Sequence, residues 1–369
     1  MTTDHRAEID TLLANAAALP DGPVKMAITE QAVALADSHG DADLGYTARK
    51  GLVSAACFAN RHDVALVAFV RVLAHHDATP APTDGGLVLL YYRWVAGAAA
   101  DFPTIAKTQI DSLYADLQRR YEAAGTSLQM LWKSRRHTCL VLGDRRGAVF
   151  AHAEMNRAQR EASSDCAACV QNSLVSYLAR LGDDAATLEA ARPIFEEGLT
   201  CGSVPGATHG HVLLPLLRLG RHTEAARHIK VGYPLLVGKL RTSSEVGRYL
   251  IGLTLTDNVR RATCLLDAHF SEAVADASPW ERFEFFLAAR LLAEGLAKGR
   301  AKRVDIRIPD GLVGLSGPRL TVGALTLWLD RELAALAEAF DTRNGNRAYS
   351  DRVAGLNDLF QFAKKCPIR

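Results

Sequence analysis

Two stretches align without gaps and begin with the same Leu-Gly pair: LGDDAATLEAARPIF at residues 181–195 and LGRHTEAARHIKVGY at residues 219–233. A third Leu-Gly pair stands at residues 142–143, so the three pairs follow one another after 39 and 38 residues. Each pair follows an apolar stretch with helical spacing and precedes an alanine-containing one. Glycine suits the end of a helix because it takes the left-handed conformation at little cost. The spacing therefore predicts repeated pairs of helices that are joined at these glycines.

The same period extends in weaker form over most of the chain. Turn-forming residues lie near positions 22, 61, 101 and 257, and together with the three Leu-Gly pairs they give steps of 37 to 42 residues. Each step leaves room for two helices of roughly 14–18 residues and two short turns. A single helix pair cannot bury its own apolar face, whereas stacked pairs bury it against one another. We therefore predict an all-α fold, a right-handed α-solenoid of antiparallel helix pairs with a period of about 39 residues.

The turn-and-helix pattern resembles tetratricopeptide-type repeats, although its period is longer than the roughly 34 residues of that family. A bacterial family of repeat-containing proteins with no established activity is similar in three stretches: DCAACVQNSLVSYLARLGDDAATLEAARPIFEEGLTCGSVP at 165–205, LLPLLRLGRHTEAARHIKVGYPLL at 213–236 and FDTRNGN at 340–346. These resemblances imply a helical-repeat fold and leave the activity open. The bacterial family places a histidine directly after the Val-Pro pair, where this chain has Gly206.

The pattern of apolar and polar residues changes after residue 299. Val304, Ile306 and Ile308 alternate with polar residues, which predicts a short strand, and two helices are expected to follow it. We predict a repeat array over residues 1–299 and a C-terminal segment over residues 300–369. That segment is either a cap that closes the exposed end of the array or a docking module whose strand pairs with the edge of a partner's sheet.

Composition and charge narrow the class of protein. The 369 residues are 49% hydrophobic and 23% charged, which is ordinary for a folded domain. Because 43 basic residues stand against 41 acidic ones, no strong field for nucleic acid or an anionic membrane is expected. No run approaches the roughly 18 apolar residues that a membrane-spanning helix needs, and the N-terminus does not read as a signal peptide. An odd count of seven cysteines argues against a secreted disulfide framework, so we predict a cytoplasmic protein.

Cysteine and histidine residues converge on one end of a predicted helix pair. Cys166 and Cys169 precede the turn at Gly182 by about as many residues as Cys201 follows it, so all three thiols are expected at the open end of the pair. His209 falls close to the same end, at the start of the next helix. Three thiolates and one imidazole suit tetrahedral zinc. The pattern predicts a structural zinc site formed by Cys166, Cys169, Cys201 and His209.

Two other interpretations of the three cysteines stay open. Free cysteine is among the most buried residue types, so the thiols could simply pack at the base of the helix pair. Cys166 and Cys169 could also form a redox pair, although a thioredoxin-like motif is expected in a βαβ context that this sequence lacks.

Two groups of aromatic and basic residues interrupt the apolar pattern of predicted helices. The first group is Tyr92, Arg93 and Trp94, and the second is Trp132, Lys133, Arg135 and Arg136. Aromatic and arginine side chains are the usual anchors of protein interfaces, and a basic helix face can also contact phosphate. We predict that these seven residues bind a partner, with a solvated helix face and nucleic-acid contact as the alternatives.

No named catalytic motif occurs in the chain. It has no Walker phosphate loop, no dinucleotide-binding glycine pattern, no H-E-x-x-H pair and no G-x-S-x-G elbow. We therefore predict a scaffold or adaptor that binds a protein or peptide in a concave groove and has no catalysis of its own. The alternatives are a regulatory protein of the repeat class that senses a ligand or peptide, and an enzyme whose site in the groove uses Cys166, Cys169 and Cys201.

Overall fold

The architecture is all-helical, as predicted. The structure is a computed structural model that describes residues 5–79, 84–161, 164–238, 242–315, 317 and 319–368. Over these ranges the chain forms eighteen α-helices, three short 3-10 segments and two strands of three residues each. Contacts divide the chain into two compact units, Met1–Thr138 with His152–Arg160, and Cys139–Ala151 with Glu161–Arg369.

The first unit is a succession of helices that pack as neighbours along the chain. In order, α1 contacts α2, α2 contacts α3, α3 contacts α4, α4 contacts α5 and α5 contacts α6. Helices α7 and α8 are shared between the two units. The bounds are α1 His5–Ala18, α2 Pro23–Ser38, α3 Ala42–Phe58, α4 His62–Ala78, α5 Gly85–Ala98, α6 Lys107–Ala123, α7 Gln129–Val141 and α8 Arg145–Arg157.

The second unit holds the remaining helices and the small sheet. Helix α9 packs on α10, α10 on α12, α12 on α14, and α14 on α16. The bounds are α9 Ala167–Leu181, α10 Asp184–Glu196, α11 Gly206–His211, α12 Leu213–Arg218, α13 His222–Gly232, α14 Ser243–Leu255, α15 Val259–Val274, α16 Pro279–Lys298, β1 Arg303–Asp305, β2 Arg319–Thr321, α17 Val322–Asn344 and α18 Ala348–Ala354.

Each predicted turn separates two helices of the structure. Gly143, Gly182 and Gly220 take the left-handed conformation, with φ of 71°, 78° and 73°. Asn60 and Asp257 take the same conformation at their turns, with φ of 56° and 57°. The predicted turns therefore lie between helices, whereas the two-helix repeat and its stacking into a solenoid stay predictions.

The pair α9–α10 shows why the local sequence folds as it does. Gly182 ends α9, and the side chain of Asp183 caps α10 by accepting a hydrogen bond from the amide of Ala186 at 3.1 Å. At the other end of the pair, Ala168 of α9 and Ile194 of α10 form a buried cluster with Val204. This cluster fixes the end of the pair that carries the cysteines.

The C-terminal segment belongs to the second compact unit. Strand β1 pairs antiparallel with β2, so the predicted strand exists, and its partner is a strand of the same chain. Val304 and Ile306 are both buried, as the alternation predicted. Helix α17 ends at Asn344 with Gly345 in the left-handed conformation, and it packs on α16. The predicted boundary after residue 299 thus falls inside this unit.

Candidate metal centre and the adjoining groove

The first two cysteines of the candidate site lie at the N-terminus of α9. Cys166 is the residue that caps this helix, and its Sγ accepts a hydrogen bond from the amide of Cys169 at 3.4 Å. The spacing of three residues brings both thiols to the same end of the helix. Unpaired amides and the helix dipole at this position favour a negatively charged sulfur.

The third cysteine is held by a tight turn that follows α10. The amide of Cys201 donates to the carbonyl of Val204 at 3.2 Å, and the amide of Val204 donates back to the carbonyl of Cys201 at 2.6 Å. Gly202 lies inside this turn with a φ of 46°, a conformation that glycine takes readily. Because Val204 is buried against Ala168 and Ile194, the turn is anchored to the helix pair.

The three sulfur atoms of Cys166, Cys169 and Cys201 all lie within 4.8 Å of one another. The convergence predicted from the spacing is therefore present, and these residues could hold a metal ion. Bonds of about 2.3 Å to a tetrahedral zinc place sulfur atoms about 3.8 Å apart, so the observed cluster needs to contract by about 1 Å at most. Cys166 and Cys201 are exposed and Cys169 is half-buried, so an ion can reach the site from solvent.

The thiols differ in how readily they ionise. Burial works against ionisation of Cys166, but the amide of Cys169 and the neighbouring thiols outweigh it and lower the pKa of Cys166. Burial raises the pKa of Cys169 to about 12, and the adjacent thiols act in the same direction. The hydrogen bond between the free thiols of Cys201 and Cys166 has the largest effect on Cys201 and raises its pKa. Cys166 is therefore the first thiolate that a metal ion would meet.

His209, the fourth predicted ligand, lies outside this group of thiols. Its Nδ1 is 2.7 Å from Nδ1 of His228, and its ring stacks on Phe195 with the ring centroids 4.5 Å apart. Burial lowers the pKa of each histidine to about 4, and the positive charge of Arg227 acts in the same direction. Both rings are therefore neutral at pH 7, and in their shared hydrogen bond one ring donates while the other accepts.

A groove of about 680 Å³ lies beside this histidine pair. Helix α10 lines one side and α13 the other, with α11 and α12 between them. Most of the lining is apolar, including Phe195, Leu216 and Val231. Thr200 and Pro205, which flank the turn that carries Cys201, also line it. The candidate metal site and the groove therefore share one loop.

The charged side chains of the groove are unevenly partnered. Arg192 forms ion pairs with Glu189 and Glu196, and Arg221 forms an ion pair with Glu224. Arg227 makes no hydrogen bond or ion pair with another residue in the described part of the chain, and it is exposed. Among the three arginines of the groove, Arg227 is therefore the one whose guanidinium is engaged in no ion pair or hydrogen bond within the described residues.

Three of the seven predicted partner-binding residues are buried. Tyr92, Arg93 and Arg136 are 2%, 4% and 1% exposed, so their side chains lie in the interior of the first unit. Tyr92 donates to Asp116 at 3.0 Å, and a guanidinium nitrogen of Arg136 lies 2.8 Å from Nδ1 of His152.

The other four are half-buried and partly accessible. Trp94 packs edge-to-face on Phe58, with the ring centroids 5.7 Å apart. The guanidinium of Arg135 forms an ion pair with Asp111 and lies over the ring of Tyr114, 4.8 Å from its centroid. Trp132 and Lys133 precede it on α7. These four side chains are the part of the predicted set that a partner can reach.

Sequence reasoning did not find His228 or Arg227. A usable signal was present, since His209 precedes the turn at Gly220 by a similar number of residues as His228 follows it. In an antiparallel pair of helices, equal distances from the turn place two residues side by side. The same rule that brought the cysteines together would therefore have paired these histidines.

Comparison of the chain with protein-family models gives no match, and comparison with curated proteins gives none. Within the described residues, no helix combines the length and the apolar character that crossing a membrane requires. The resemblance to tetratricopeptide-type repeats stays a prediction.

Proposed function

We propose that this chain is a helical-repeat binding protein of the tetratricopeptide-like class, with no catalysis of its own. In this proposal its helix pairs stack as a right-handed α-solenoid and hold a protein or peptide partner. The observation that supports it is the succession of helix pairs joined at the predicted turns, in which α10, α12 and α14 each pack on the next pair. Seven free cysteines are in keeping with a reducing, cytoplasmic setting.

The accessible aromatic and basic side chains of the first unit are the proposed contact surface. Trp94, Trp132, Lys133 and Arg135 combine an apolar ring surface with positive charge, which is the composition of interface anchors. Tyr92, Arg93 and Arg136 are buried, so in this proposal their side chains do not contact the partner.

The test is recovery of a partner with the full chain, followed by reconstitution from separately purified components. A Trp132→Ala or Lys133→Glu variant is expected to weaken the reconstituted complex about tenfold or more, because interface anchors carry most of the binding free energy. Lys230→Glu on α13 is the matched control, since Lys230 is exposed and lies outside the proposed surface. Equal affinity of all variants, or a chain that binds no protein stoichiometrically, would refute the proposal.

A second proposal concerns the cysteine cluster, where zinc would have a structural role. Zn²⁺ bound by the thiolates of Cys166, Cys169 and Cys201 would tie the start of α9 to the turn after α10. Because His209 is engaged with His228, the fourth position would be left to water, an arrangement that differs from the four protein ligands of most structural zinc sites. Such a site would stabilise the open end of the helix pair, and the metal would add to the folding free energy because the unfolded chain lacks a formed site.

Metal analysis of untagged protein tests the zinc site. We expect one zinc per chain, loss of zinc in Cys169→Ser, and retention in Cys264→Ser, an exposed free cysteine outside the cluster. Cobalt substitution should give a thiolate-to-cobalt charge-transfer band in the control variant and none in Cys169→Ser. His209→Ala should keep its zinc if water fills the fourth position. A zinc content far below one per chain, or equal content in both cysteine variants, would refute the site.

A further inference from the structure

The groove between α10 and α13 has the size and lining of a small-molecule site. Its volume of about 680 Å³ lies within the range of roughly 300–1,000 Å³ that is typical of ligand pockets. Phe195 and Leu216 contribute to an apolar lining, and Val231 is 48% exposed on α13 at its edge. Apolar side chains in such a concave position favour the binding of an apolar body.

The charged side chains of the groove determine which polar group a ligand can carry. The lining contains three arginines and two glutamates, and Arg227 is the arginine without an ion pair or hydrogen bond in the described chain. Its planar guanidinium can bind a carboxylate through two parallel hydrogen bonds. A doubly charged phosphate would demand a second free cation, whereas Arg192 and Arg221 are already paired with glutamates.

The histidine pair adds hydrogen bonding without adding charge. Once His209 and His228 share their Nδ1 hydrogen bond, one ring keeps an Nε2 proton and the other keeps an Nε2 lone pair. Both residues line the groove. The neutral pair therefore adds no charge, and Arg227 stays the arginine of the groove that is free to bind an anionic group.

We propose that the groove between α10 and α13 binds a small monocarboxylic acid with an apolar body, whose carboxylate is held by Arg227. The apolar body lies along Phe195, Leu216 and Val231. This site is separate from the proposed partner surface of the first unit, and it does not depend on zinc at the cysteine cluster.

Calorimetric titration of the full chain with decanoate, below its micelle concentration, tests the proposal. The control ligand is 1-decanol, which has the same apolar chain and no charge. Decanoate is expected to bind at least about tenfold more tightly than decanol, because a charge-assisted hydrogen bond is worth at least that factor. Arg227→Gln should abolish this difference. The matched control is Arg260→Gln on α15, an exposed arginine outside the groove, which should preserve it.

A second pair of variants tests the location. Val231→Asp places a carboxylate at the edge of the groove and is expected to weaken decanoate binding about tenfold or more. Val237→Asp is the control, because Val237 is 61% exposed and does not line the groove. Both positions are exposed, so thermal unfolding should show that both variants fold. In wild-type protein, decanoate should also shift the imidazole NMR signals of His209 and His228.

Three outcomes would overturn the proposal. The first is equal affinity of the wild-type protein for decanoate and decanol. The second is a preference for decanoate that survives Arg227→Gln. The third is equal decanoate affinity of the Val231→Asp and Val237→Asp variants.

Discussion

At the scale of single residues, the shared hydrogen bond of His209 and His228 makes the second unit sensitive to pH. One ring donates through Nδ1–H and the other accepts at Nδ1, so protonating the accepting nitrogen breaks the hydrogen bond. Burial is the largest cause of the lowered pKa in both rings, and Arg227 adds to it. For His228, Glu224 works in the opposite direction and Arg221 in the same one. The net effect favours two neutral rings in the folded chain.

The pH dependence of stability follows from these shifts. The pKa of each ring is about 4 in the folded chain and 6.5 in its ordinary state, so the unfolded chain binds more protons between these values. The contribution of these two neutral rings to the free energy of unfolding is therefore fully present above about pH 6.5, and it is lost as the pH falls toward 4. For one ring, a shift of this size corresponds to about 3 kcal/mol. Denaturant unfolding at pH 7 and pH 4 measures the loss.

The control for this prediction is the double variant His209→Asn with His228→Asn, which keeps polar groups near the Nδ1 positions and removes the titrating rings. Its free energy of unfolding should fall less between pH 7 and pH 4 than that of the wild-type protein. Equal losses in the two proteins would show that other groups cause the pH dependence.

At the scale of elements, two turn glycines with the same backbone conformation have different surroundings. Gly143 and Gly182 have φ of 71° and 78°. A Cβ on Gly182 would have no atom within 4 Å, whereas a Cβ on Gly143 would lie 2.6 Å from the Cβ of Ala348. A side chain would therefore strain the backbone similarly at both positions, but it would clash with a neighbouring residue only at Gly143.

These surroundings predict different effects of the same substitution. Gly182→Ala is expected to lower the free energy of unfolding by about 1 kcal/mol, the cost of a left-handed non-glycine residue. Gly143→Ala should lower it by about 2 kcal/mol more, because the turn and α18 must move apart. Chemical denaturation of both variants measures the difference. Equal effects would contradict the close packing of α18 on this turn.

The same glycines show what the sequence could and could not reveal. Turn positions were predictable because a left-handed helix end has a local signature, and the meeting of the thiols followed from their similar distances from Gly182 along the chain. The contact between Gly143 and Ala348 joins residues far apart in the chain, and no local pattern encodes it. The burial of Tyr92, Arg93 and Arg136 was missed for a related reason. Tertiary partners such as Asp116 and His152 allow polar side chains to occupy the interior.

At the scale of the whole molecule, the C-terminal segment is tied to distant parts of the second unit. Tyr349 donates to the carbonyl of Val141 at 2.8 Å and stacks on Phe340. Further along, the amide of Cys366 donates to the carbonyl of Thr256 at 3.0 Å. These contacts join the end of the chain to the C-terminal ends of α7 and α14, which lie more than 100 residues earlier.

A bidentate ion pair links this segment to α16. The two terminal nitrogens of the Arg352 guanidinium, Nη1 and Nη2, each lie 2.7 Å from a carboxylate oxygen of Glu284. Burial opposes ionisation of Glu284, but Arg352 outweighs it and lowers the pKa of Glu284 to about 2. Arg352→Met should destabilise the chain by about 1–2 kcal/mol, after allowance for the partial exposure of Arg352. Arg347→Met is the control, because its pair with Asp351 is exposed and should contribute nearly nothing. Thermal unfolding compares them, and equal midpoints would contradict the role of the pair.

The strongest test of the C-terminal segment is its removal. A chain that ends at residue 299 lacks α17 and α18, and it uncovers the side of α16 that carries Phe283 and Phe286. Each ring loses roughly 1.5–3 kcal/mol of burial, and Glu284 loses its partner as well. We therefore expect amides of α14 and α16 to exchange with solvent far faster in the shortened chain than in the full one, measured by hydrogen exchange with mass spectrometry. If exchange stayed slow, residues 1–299 would be a self-sufficient repeat array and the C-terminal segment an accessory. If it became fast, the segment would be an integral part of the unit that holds both the thiols and the groove.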